Sequence, residues 1–550
     1  MAKPLLLMIR DGWGIGDGGP GDAVAAANTP NMDNLLNKYP SVQIEPSGEA
    51  VGLRAGSQGS SEVGHLNMGA GRIVEQEVRR VDKAIEDGSL FKHPRLLEAV
   101  EICKTQNKKF HLMGLVQDQG VHAIDDHLFA MLGFLAEQGL KDVCIHFFGD
   151  GRDTPPQSAL TFLEKLEASI ASSGTGRVAS VMGRYWSMDR AQNWERTEKA
   201  YRALTKGEGL TASSAKEAIE EAYKRAEEQR AAGEDIVETD EFISPTLITD
   251  ENGNPTGIVE EGDIVLHFNY RQDRAIQLTM AFVEDDFSNF DRGSRLEAFY
   301  MGLTRYYDEF SFELIPPMNM DNLLGEVLSK KGLRQLRIAE FQKYKHVTSF
   351  FNGKRIAPFA GEDRIQVEST TLPEDQKPEM SAHEVTELVL KAINDGILAA
   401  RNGAKEMDMA DLEIADESDS VDPDAEYDVI VLNYANGDMV GHTGVFEAAR
   451  KAIETVDECL GKVVEAVLAK DGLVLITSDH GNSERMIDPE TGGPQTAHTT
   501  SPVDLTMVGN DTDNIVLRQG GKLSDIAPTM LAMLNMDIPE EMTADNLIGS

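Results

Sequence analysis

Short apolar runs alternate with longer segments of helical periodicity along most of the chain. The runs "LLLMI" (5–9), "FHLMGLV" (110–116), "VCIHFF" (143–148), "DIVLHFN" (263–269), "AFYMGLT" (298–304), "YDVIVLNYA" (427–435), "GLVLITSD" (472–479) and "DLTMVG" (504–509) read as buried strands. Between them, "DDHLFAMLGFLAEQG", "SALTFLEKLEASI", "FEAARKAIETVDECLGKVVEAVLAK" and "KLSDIAPTMLAMLN" repeat apolar residues at helical spacing. That alternation predicts an α/β fold with largely parallel sheets. Two stretches look like surface decoration: "TASSAKEAIEEAYKRAEEQRAAGED" (211–235) as a charged, solvated helix and "EMDMADLEIADESDSVDPDAE" (406–426) as an acidic loop. No internal repeat is visible.

At 550 residues the chain exceeds what one core supports, about 250–300 residues, so more than one domain is expected. Composition is that of a soluble protein, 41% hydrophobic and 26% charged. Charge changes the picture: 52 Lys and Arg against 93 Asp and Glu leave −41. Such a surface repels nucleic acid and anionic membrane, so neither is an expected partner. An anionic substrate would need cationic residues gathered locally. The three cysteines, Cys103, Cys144 and Cys459, are far apart and form no motif, which suits a reducing, cytoplasmic setting. The opening "MAKPLLLMIRDGWG" is too short in its apolar run for a signal segment. No apolar stretch approaches the roughly 20 residues that span a bilayer.

In open α/β sheets, functional residues sit beyond the carboxyl ends of strands. That rule selects Asp11 after "LLLMIR", Asp438 and His442 in "GDMVGHTG", and Asp479 and His480 in "TSDHGN", with His498 following in "TAHTTSP". A lone Asp or His at such a place is more often a cap or turn residue; six at three strand ends outweigh that reading. Three aspartates and three histidines exceed one tetrahedral site and suit two divalent ions, the arrangement that clamps a phosphoryl group in transfer. A metal can also activate a serine hydroxyl without a neighbouring base. Within "QGSSEVGHLNMGAGR" (58–72), Ser61 is therefore the candidate nucleophile and Ser60 the weaker one.

These motifs, together with "VHAIDDH", "DGRDTPP", "GRYWSMDR", "FNYRQDRA", "GLRQLRIAE" and "KYKHVTSFFNG", resemble the cofactor-independent (2,3-bisphosphoglycerate-independent) phosphoglycerate mutases of the alkaline phosphatase superfamily. The resemblance runs along nearly the whole chain. It implies one metal on Asp438, His442 and His498 and a second on Asp11, Ser61, Asp479 and His480, with Ser61 phosphorylated in turnover. It implies substrate binding by His122, Arg152, Asp153, Arg184, Arg190, Arg271, Arg274 and Lys343, with Ser61, Asp153 and Lys343 catalytic. The physical reading agrees, since five guanidiniums in a chain of this charge suit bidentate anion recognition. The implied cofactors are two divalent ions, Mn²⁺ foremost and Co²⁺, Mg²⁺ or Zn²⁺ suitable, with no bisphosphoglycerate. The implied reaction interconverts 3-phosphoglycerate and 2-phosphoglycerate in glycolysis and gluconeogenesis, carried by a monomer.

The resemblance also implies the architecture. An alkaline-phosphatase-like metal-binding α/β domain, 1–76 and 318–550, would be interrupted by an inserted α/β substrate domain, 77–317, with "ELIPPMNMDN" at a boundary and substrate held by both. Rival readings are a phosphatase or sulfatase of the same superfamily, a phosphopentomutase-like enzyme, and an inactive homologue, although no ligand is missing. The chain departs from the family at Arg10 (commonly Leu), Ser60 (Asn), Gly437 (Pro) and Lys354-Arg355 (a second Gly), and in the acidic insertion 406–426.

Overall fold

The computed structural model describes residues 4–234, 236–407, 409–415 and 425–549. The chain folds into two compact units, Met1–Glu75 with Met318–Ser550, and Gln76–Pro317. In chain order, the first unit opens with strands β1 (Leu5–Arg10) and β2 (Ser41–Glu45). The second contains β3 (Phe110–Leu115), β4 (Val143–Gly149), β5 (Arg177–Gly183), β6 (Leu210–Ala212), β7 (Thr246–Ile248), β8 (Ile264–His267), β9 (Phe299–Thr304) and β10 (Glu313–Ile315). The first unit resumes with β11 (Gln335–Glu340), β12 (Glu362–Val367), β13 (Ala410–Ile414), β14 (Val429–Tyr434), β15 (Leu473–Thr477), β16 (Val503–Val508) and β17 (Gly521–Lys522). All eight apolar runs are strands.

The first unit's sheet has the order β13-β12-β11-β14-β1-β15-β16-β2-β17. Its centre, from β12 to β15, is parallel, and β13 and β16 join antiparallel. The "LLLMI" run explains the layering. Leu6 and Met8 point into one core, covered by helices Ala382–Glu406 and Phe446–Ala469, while Leu5, Leu7 and Ile9 point into another with Met68, Ile526 and Met530. A strand apolar on both faces is what a parallel sheet between two helical layers requires. Each such side chain contributes about 1.5–3 kcal/mol on burial.

The second unit's sheet runs β10-β9-β8-β3-β4-β5-β7-β6, parallel from β10 to β5, with β7 antiparallel to β5. The charged stretch 211–235 is a helix, Ala215–Ala232, capped by Ser214 and stopped by Gly233 at φ 77°. It is not solvated all round: Ala215, Ala218, Ile219, Ala222 and Ala226 form a buried face.

The acidic run 406–426 differs from the expected loop. Its "ADLEI" is the edge strand β13, antiparallel to β12, with Asp411 and Glu413 exposed and Ala410, Leu412 and Ile414 half-buried. Period-two alternation was present but hidden by the surrounding acids, and charges on an edge strand discourage pairing with another chain. The rest of the run, 416–424 and residue 408, lies outside the described residues. Among the described residues, no helix is long and apolar enough to cross a membrane.

Candidate metal centre and anion-binding cluster

Four adjacent parallel strands of the first unit, β11, β14, β1 and β15, bring their carboxyl ends together. Asp11 follows β1, Asp438 and His442 follow β14, Asp479 and His480 follow β15, and Lys343 lies in the short helix after β11. Close approach depends on two glycines. A Cβ on Gly12, which sits at φ +72°, would lie 2.5 Å from the Asp438 backbone, and one on Gly437 would lie 2.6 Å from the Asp11 carbonyl oxygen. The two glycines therefore let the two aspartate-bearing loops touch.

Ser61 is the first residue of helix Ser61–Ala70, and Ser60 is its N-cap, accepting from the Val63 amide at 3.4 Å. A capping role satisfies Ser60 locally and leaves Ser61 to the site. Ser61 Oγ is 2.6 Å from Lys343 Nζ, 2.9 Å from His480 Nε2 and 3.2 Å from Asp11 Oδ1. Lys343 Nζ also donates to Asp11 Oδ1 at 2.8 Å and Asp438 Oδ2 at 2.6 Å. Beside them, His442 Nε2 and His498 Nε2 lie 3.1 and 3.0 Å from Asp438 Oδ1 and 3.0 Å from each other. His480 stands between the two sets, within reach of Asp11 and Asp479 and also of Asp438 and His498.

Electrostatically this cluster is short of positive charge. Burial, then Asp479, pushes the Asp11 carboxyl up, with Asp438 adding to it and Lys343 opposing. Burial also works against ionisation of Asp438, but Lys343, His442 and His498 outweigh it and hold that carboxyl well below its ordinary value. Asp438 in turn raises His442; for His498 the same pull exceeds the opposing effect of burial. Lys343 stays protonated because Asp11 and Asp438 overcome its burial. Asp479 Oδ2, Asn433 Oδ1 and Asn482 Oδ1 are buried without hydrogen-bond partners. One ammonium facing three buried aspartates, with imidazoles drawn toward protonation, is a donor set suited to divalent cations.

The second unit gathers the remaining predicted residues at the carboxyl ends of β8, β3, β4 and β5. Arg184 Nη1 donates to Asp150 Oδ1 and Asp153 Oδ2, both at 2.6 Å. Arg190 and Arg271 converge on Asp273 at 2.5 and 3.0 Å, and His122 lies 3.7 Å from Asp273 and 4.0 Å from Asp153. Arg274 donates to the Met188 carbonyl at 3.0 Å, and Arg152, over half exposed, faces Glu241 at 3.5 Å. Burial, then Arg184 and Arg271, pushes the His122 imidazole down to about 3, so it is neutral. Burial and then Arg184, Arg190 and Arg152 lower Arg274, the mark of crowded guanidiniums. Arg184 Nε, Arg274 Nε and His122 Nδ1 are buried and unpartnered. Guanidiniums so gathered are a donor set suited to an anion.

The two clusters divide the predicted residues. Lys343 joins the aspartates and histidines; His122, Arg152, Asp153, Arg184, Arg190, Arg271 and Arg274 form the other group. Sequence reasoning passed over Asp273, whose position between two arginines in "RQDRA" was the available signal. It also passed over His65 and Asn433, which lie inside a helix and a strand and carry no strand-end signal.

Two family models match the chain: the BPG-independent PGAM N-terminus over residues 81–308 and the Metalloenzyme superfamily over residues 398–538. The 2,3-bisphosphoglycerate-independent phosphoglycerate mutase of Acetivibrio thermocellus is 49% identical over 99% of both chains. Enzyme 1 of that name from Methanosarcina barkeri is 45% identical over 99% of this chain and 98% of its own. Among solved structures, the Leishmania mexicana phosphoglycerate mutase at low cobalt concentration covers 100% of this chain and 98% of its own, at 31% identity and a TM-score of 0.61. Carrying a metalloenzyme cluster in one unit and an arginine cluster in the other, the chain belongs to the family of 2,3-bisphosphoglycerate-independent phosphoglycerate mutases.

Proposed function

We propose that the protein interconverts 3-phosphoglycerate and 2-phosphoglycerate without bisphosphoglycerate, through a phosphoserine on Ser61, as a step of glycolysis and gluconeogenesis. The observation that carries this reading is Ser61 Oγ, buried within 3.2 Å of Lys343, His480 and Asp11. Asp438, His442 and His498 would hold one divalent ion and Asp11, Ser61, Asp479 and His480 a second, Mn²⁺ or Co²⁺ by donor type. When bound, such ions lower the proton affinity of a serine hydroxyl and neutralise phosphoryl oxygens.

The chain's own groups supply the rest. Ser61 Oγ forms a bond to phosphorus as the bond to the 3-oxygen breaks, and Lys343 Nζ donates to the oxygens where charge develops. Ser61 opens a ten-residue helix, whose dipole favours negative charge at its N-terminal end. Arg271, Arg274 and their neighbours hold the substrate carboxylate, so glycerate stays bound while it turns. Asp153, oriented by Arg184, gives a proton to the departing 3-oxygen and takes one from the 2-hydroxyl, whose oxygen then attacks phosphoserine. Ser61 enters the cycle as its alkoxide and leaves phosphorus as its alkoxide, so the proton that Asp153 gives to the 3-oxygen is the one it regains from the 2-hydroxyl. The phosphoryl group passes from the 3-oxygen to Ser61 and on to the 2-oxygen. The working form is a monomer, and its place is the cytoplasm.

The test is conversion of 3- to 2-phosphoglycerate without bisphosphoglycerate, before and after chelation, with Mn²⁺ or Co²⁺ added back. Loss on chelation and recovery on addition are expected. Full activity in metal-free protein, or net phosphate release in place of isomerisation, would overturn the reading.

A further inference from the structure

His65 and Asn433 are buried beside the candidate metal centre, yet neither side chain hydrogen-bonds to Ser61 Oγ or to a predicted substrate residue among the described residues. Asn433 lies on β14 opposite Ile9 of β1, and His65 lies one turn after Ser61. Packing alone would favour apolar residues at both places, since their sequence neighbours are Leu432, Leu66 and Gly64. Burying an amide and an imidazole costs about 1–3 kcal/mol for each polar group left unsatisfied. Some interaction must offset that.

The hydrogen bonds form a chain with one possible direction. Asn433 Nδ2 donates to Asp11 Oδ2 at 2.8 Å and lies 3.0 Å from His65 Nε2. The flipped amide would set its oxygen against a carboxylate oxygen, two acceptors in contact, so this orientation is fixed. The second amide hydrogen then points at His65 Nε2, which must accept. The ring proton therefore sits on Nδ1, 2.8 Å from the Ser61 carbonyl oxygen and 3.3 Å from Asp479 Oδ2. The His346 ring covers His65 at a centroid distance of 5.5 Å, and both members of the pair are 0–1% exposed, so water does not compete. One amide and one imidazole thus touch three members of the same ligand set: both carboxylates and the backbone of the serine.

We propose that His65 and Asn433 are positioning residues that hold Asp11, Asp479 and Ser61 in the orientation needed to take up the second divalent ion. This rests on the reading that Asp11, Ser61, Asp479 and His480 bind such an ion. Asn433 ties Asp11 Oδ2 and leaves Oδ1 to Ser61 Oγ, Lys343 and His480. Asp479 Oδ1 accepts from the Gly12 amide at 3.4 Å, and its Oδ2 rests 3.3 Å from His65 Nδ1. The Nδ1 proton goes to the Ser61 carbonyl, so the ring packs against that carboxylate without a hydrogen bond to it. With its proton on Nε2 instead, the ring would neither accept from Asn433 nor donate to the Ser61 carbonyl, which is why its tautomer matters.

The experiment titrates metal-free full-length protein with Mn²⁺, reading bound equivalents and affinities by calorimetry and by the Mn²⁺ paramagnetic resonance signal. Wild type is expected to take two equivalents. Asn433→Leu, which keeps the shape and removes the donor, and His65→Leu should each weaken one equivalent by roughly 10–100-fold and leave the other unchanged. His65→Asn, which can place an amide hydrogen near the lost Nδ1–H, should recover part of that loss. In the same variants kcat should fall while KM for 3-phosphoglycerate holds, since no substrate residue is touched. Both equivalents at wild-type affinity in folded Asn433→Leu would overturn the proposal, and so would equal weakening of both, which is general loosening. Asp479→Asn separates the two levels. If it too leaves both equivalents intact, the metal reading itself fails; if it removes one while Asn433→Leu and His65→Leu do not, only the positioning role fails.

Discussion

Each unit of the protein gathers a cluster of histidine and aspartate, wholly buried in the second and with His442 exposed in the first, and the two are built on opposite terms. In the second unit, Asp263, His111, His146 and Ser180 form a row across β8, β3, β4 and β5, joined at 3.2, 3.0 and 2.8 Å. Asp263 accepts from His111, so His111 accepts from His146 and His146 from Ser180. Every side-chain polar atom in that row has a partner, and both rings are neutral. In the first unit, three aspartates, three histidines and one lysine leave orphaned oxygens, a carboxyl pushed up and imidazoles drawn toward protonation. Burial of polar residues therefore does not mark a site. Orphaned atoms occur elsewhere too, as at Arg337 Nε and His267 Nε2. The candidate centre differs in gathering orphaned oxygens, three carboxylates and imidazoles drawn toward protonation in one place, an arrangement that a bound cation would relieve.

The largest expected effect lies at the centre of the unsatisfied cluster. Ser61→Ala should lower mutase turnover by on the order of 10⁴–10⁶, the scale of removing a nucleophile. The circular dichroism spectrum should stay unchanged. Intact-mass measurement on enzyme quenched during turnover should find one phosphoryl group in wild type and none in the variant. Phosphate mapped to Ser60 instead would reverse the assignment of the two serines.

Next comes the arginine cluster, where four guanidiniums face carboxylates while Arg184 Nε and Arg274 Nε stay unpartnered. A charge-assisted contact to a bound anion is worth about 1.5–3 kcal/mol, so Arg271→Ala with Arg274→Ala should cost roughly 10²–10⁴ in kcat/KM. Metal stoichiometry should not change, because no metal ligand is touched. Wild-type rates in the double variant would remove these arginines from substrate binding.

Much of this was legible in the chain, and what escaped did so for physical reasons. The central strands were readable because a strand covered on both faces is a run of apolar residues. β12 and β11 were not, although both are buried, because "EDRIQV" and "QLRIAE" bury charged residues, most of them paired in the fold and Arg337 held by Gln335 and a ring. Glu362 holds Arg364 at 2.7 Å, Asp363 holds Arg401 at 2.8 Å, and Arg337 lies over the Phe351 ring. Hydropathy sees the charge and not its partner. The metal-ligand candidates were readable because strand ends collect function; His65 and Asn433 were not, since they act through residues distant in sequence. The row Asp263–His111–His146–Ser180 left no sequence signal, and its lack of frustration is visible only in the hydrogen bonds.

The comparison can be broken most directly by removing one member from each cluster of the metal-free protein. Asp11→Asn deletes one of three buried like charges, and burial with Asp479 already works against its ionisation. That variant should take up less metal and lose mutase activity, yet its apo form should be more stable, by on the order of 1–2 kcal/mol in urea denaturation with chelator present. A destabilised apo protein would mean that the carboxylate is held favourably by Lys343 and Asn433 even without metal. The cluster would then be satisfied after all.

Removing a member of the second row should do the reverse, with a smaller effect. Ser180→Ala leaves His146 Nδ1 as a buried acceptor with no donor, costing about 1–2 kcal/mol of the second unit's stability and leaving the mutase rate unchanged. The row also sets an acid limit. Burial, then His111 and Arg177, holds His146 well below its ordinary value. Burial likewise lowers His111, although Asp263 opposes it and Lys109 and Asp142 lie close enough to act on the ring. Folded-state values below the unfolded 6.5 mean that the unfolded chain takes up protons first. The stability from keeping both rings neutral is thus present above about pH 6.5 and declines below it, by up to roughly 1.4 kcal/mol per pH unit for each histidine. Hydrogen exchange on the full chain between pH 7 and pH 5 should show peptides of β3, β4, β5 and β8 losing protection with that slope. Replacing both rings, His111→Gln with His146→Gln, should flatten the slope even if it lowers the starting stability. An unchanged slope in that double variant would place the acid sensitivity elsewhere, and the satisfied row would then differ from the metal centre in geometry alone.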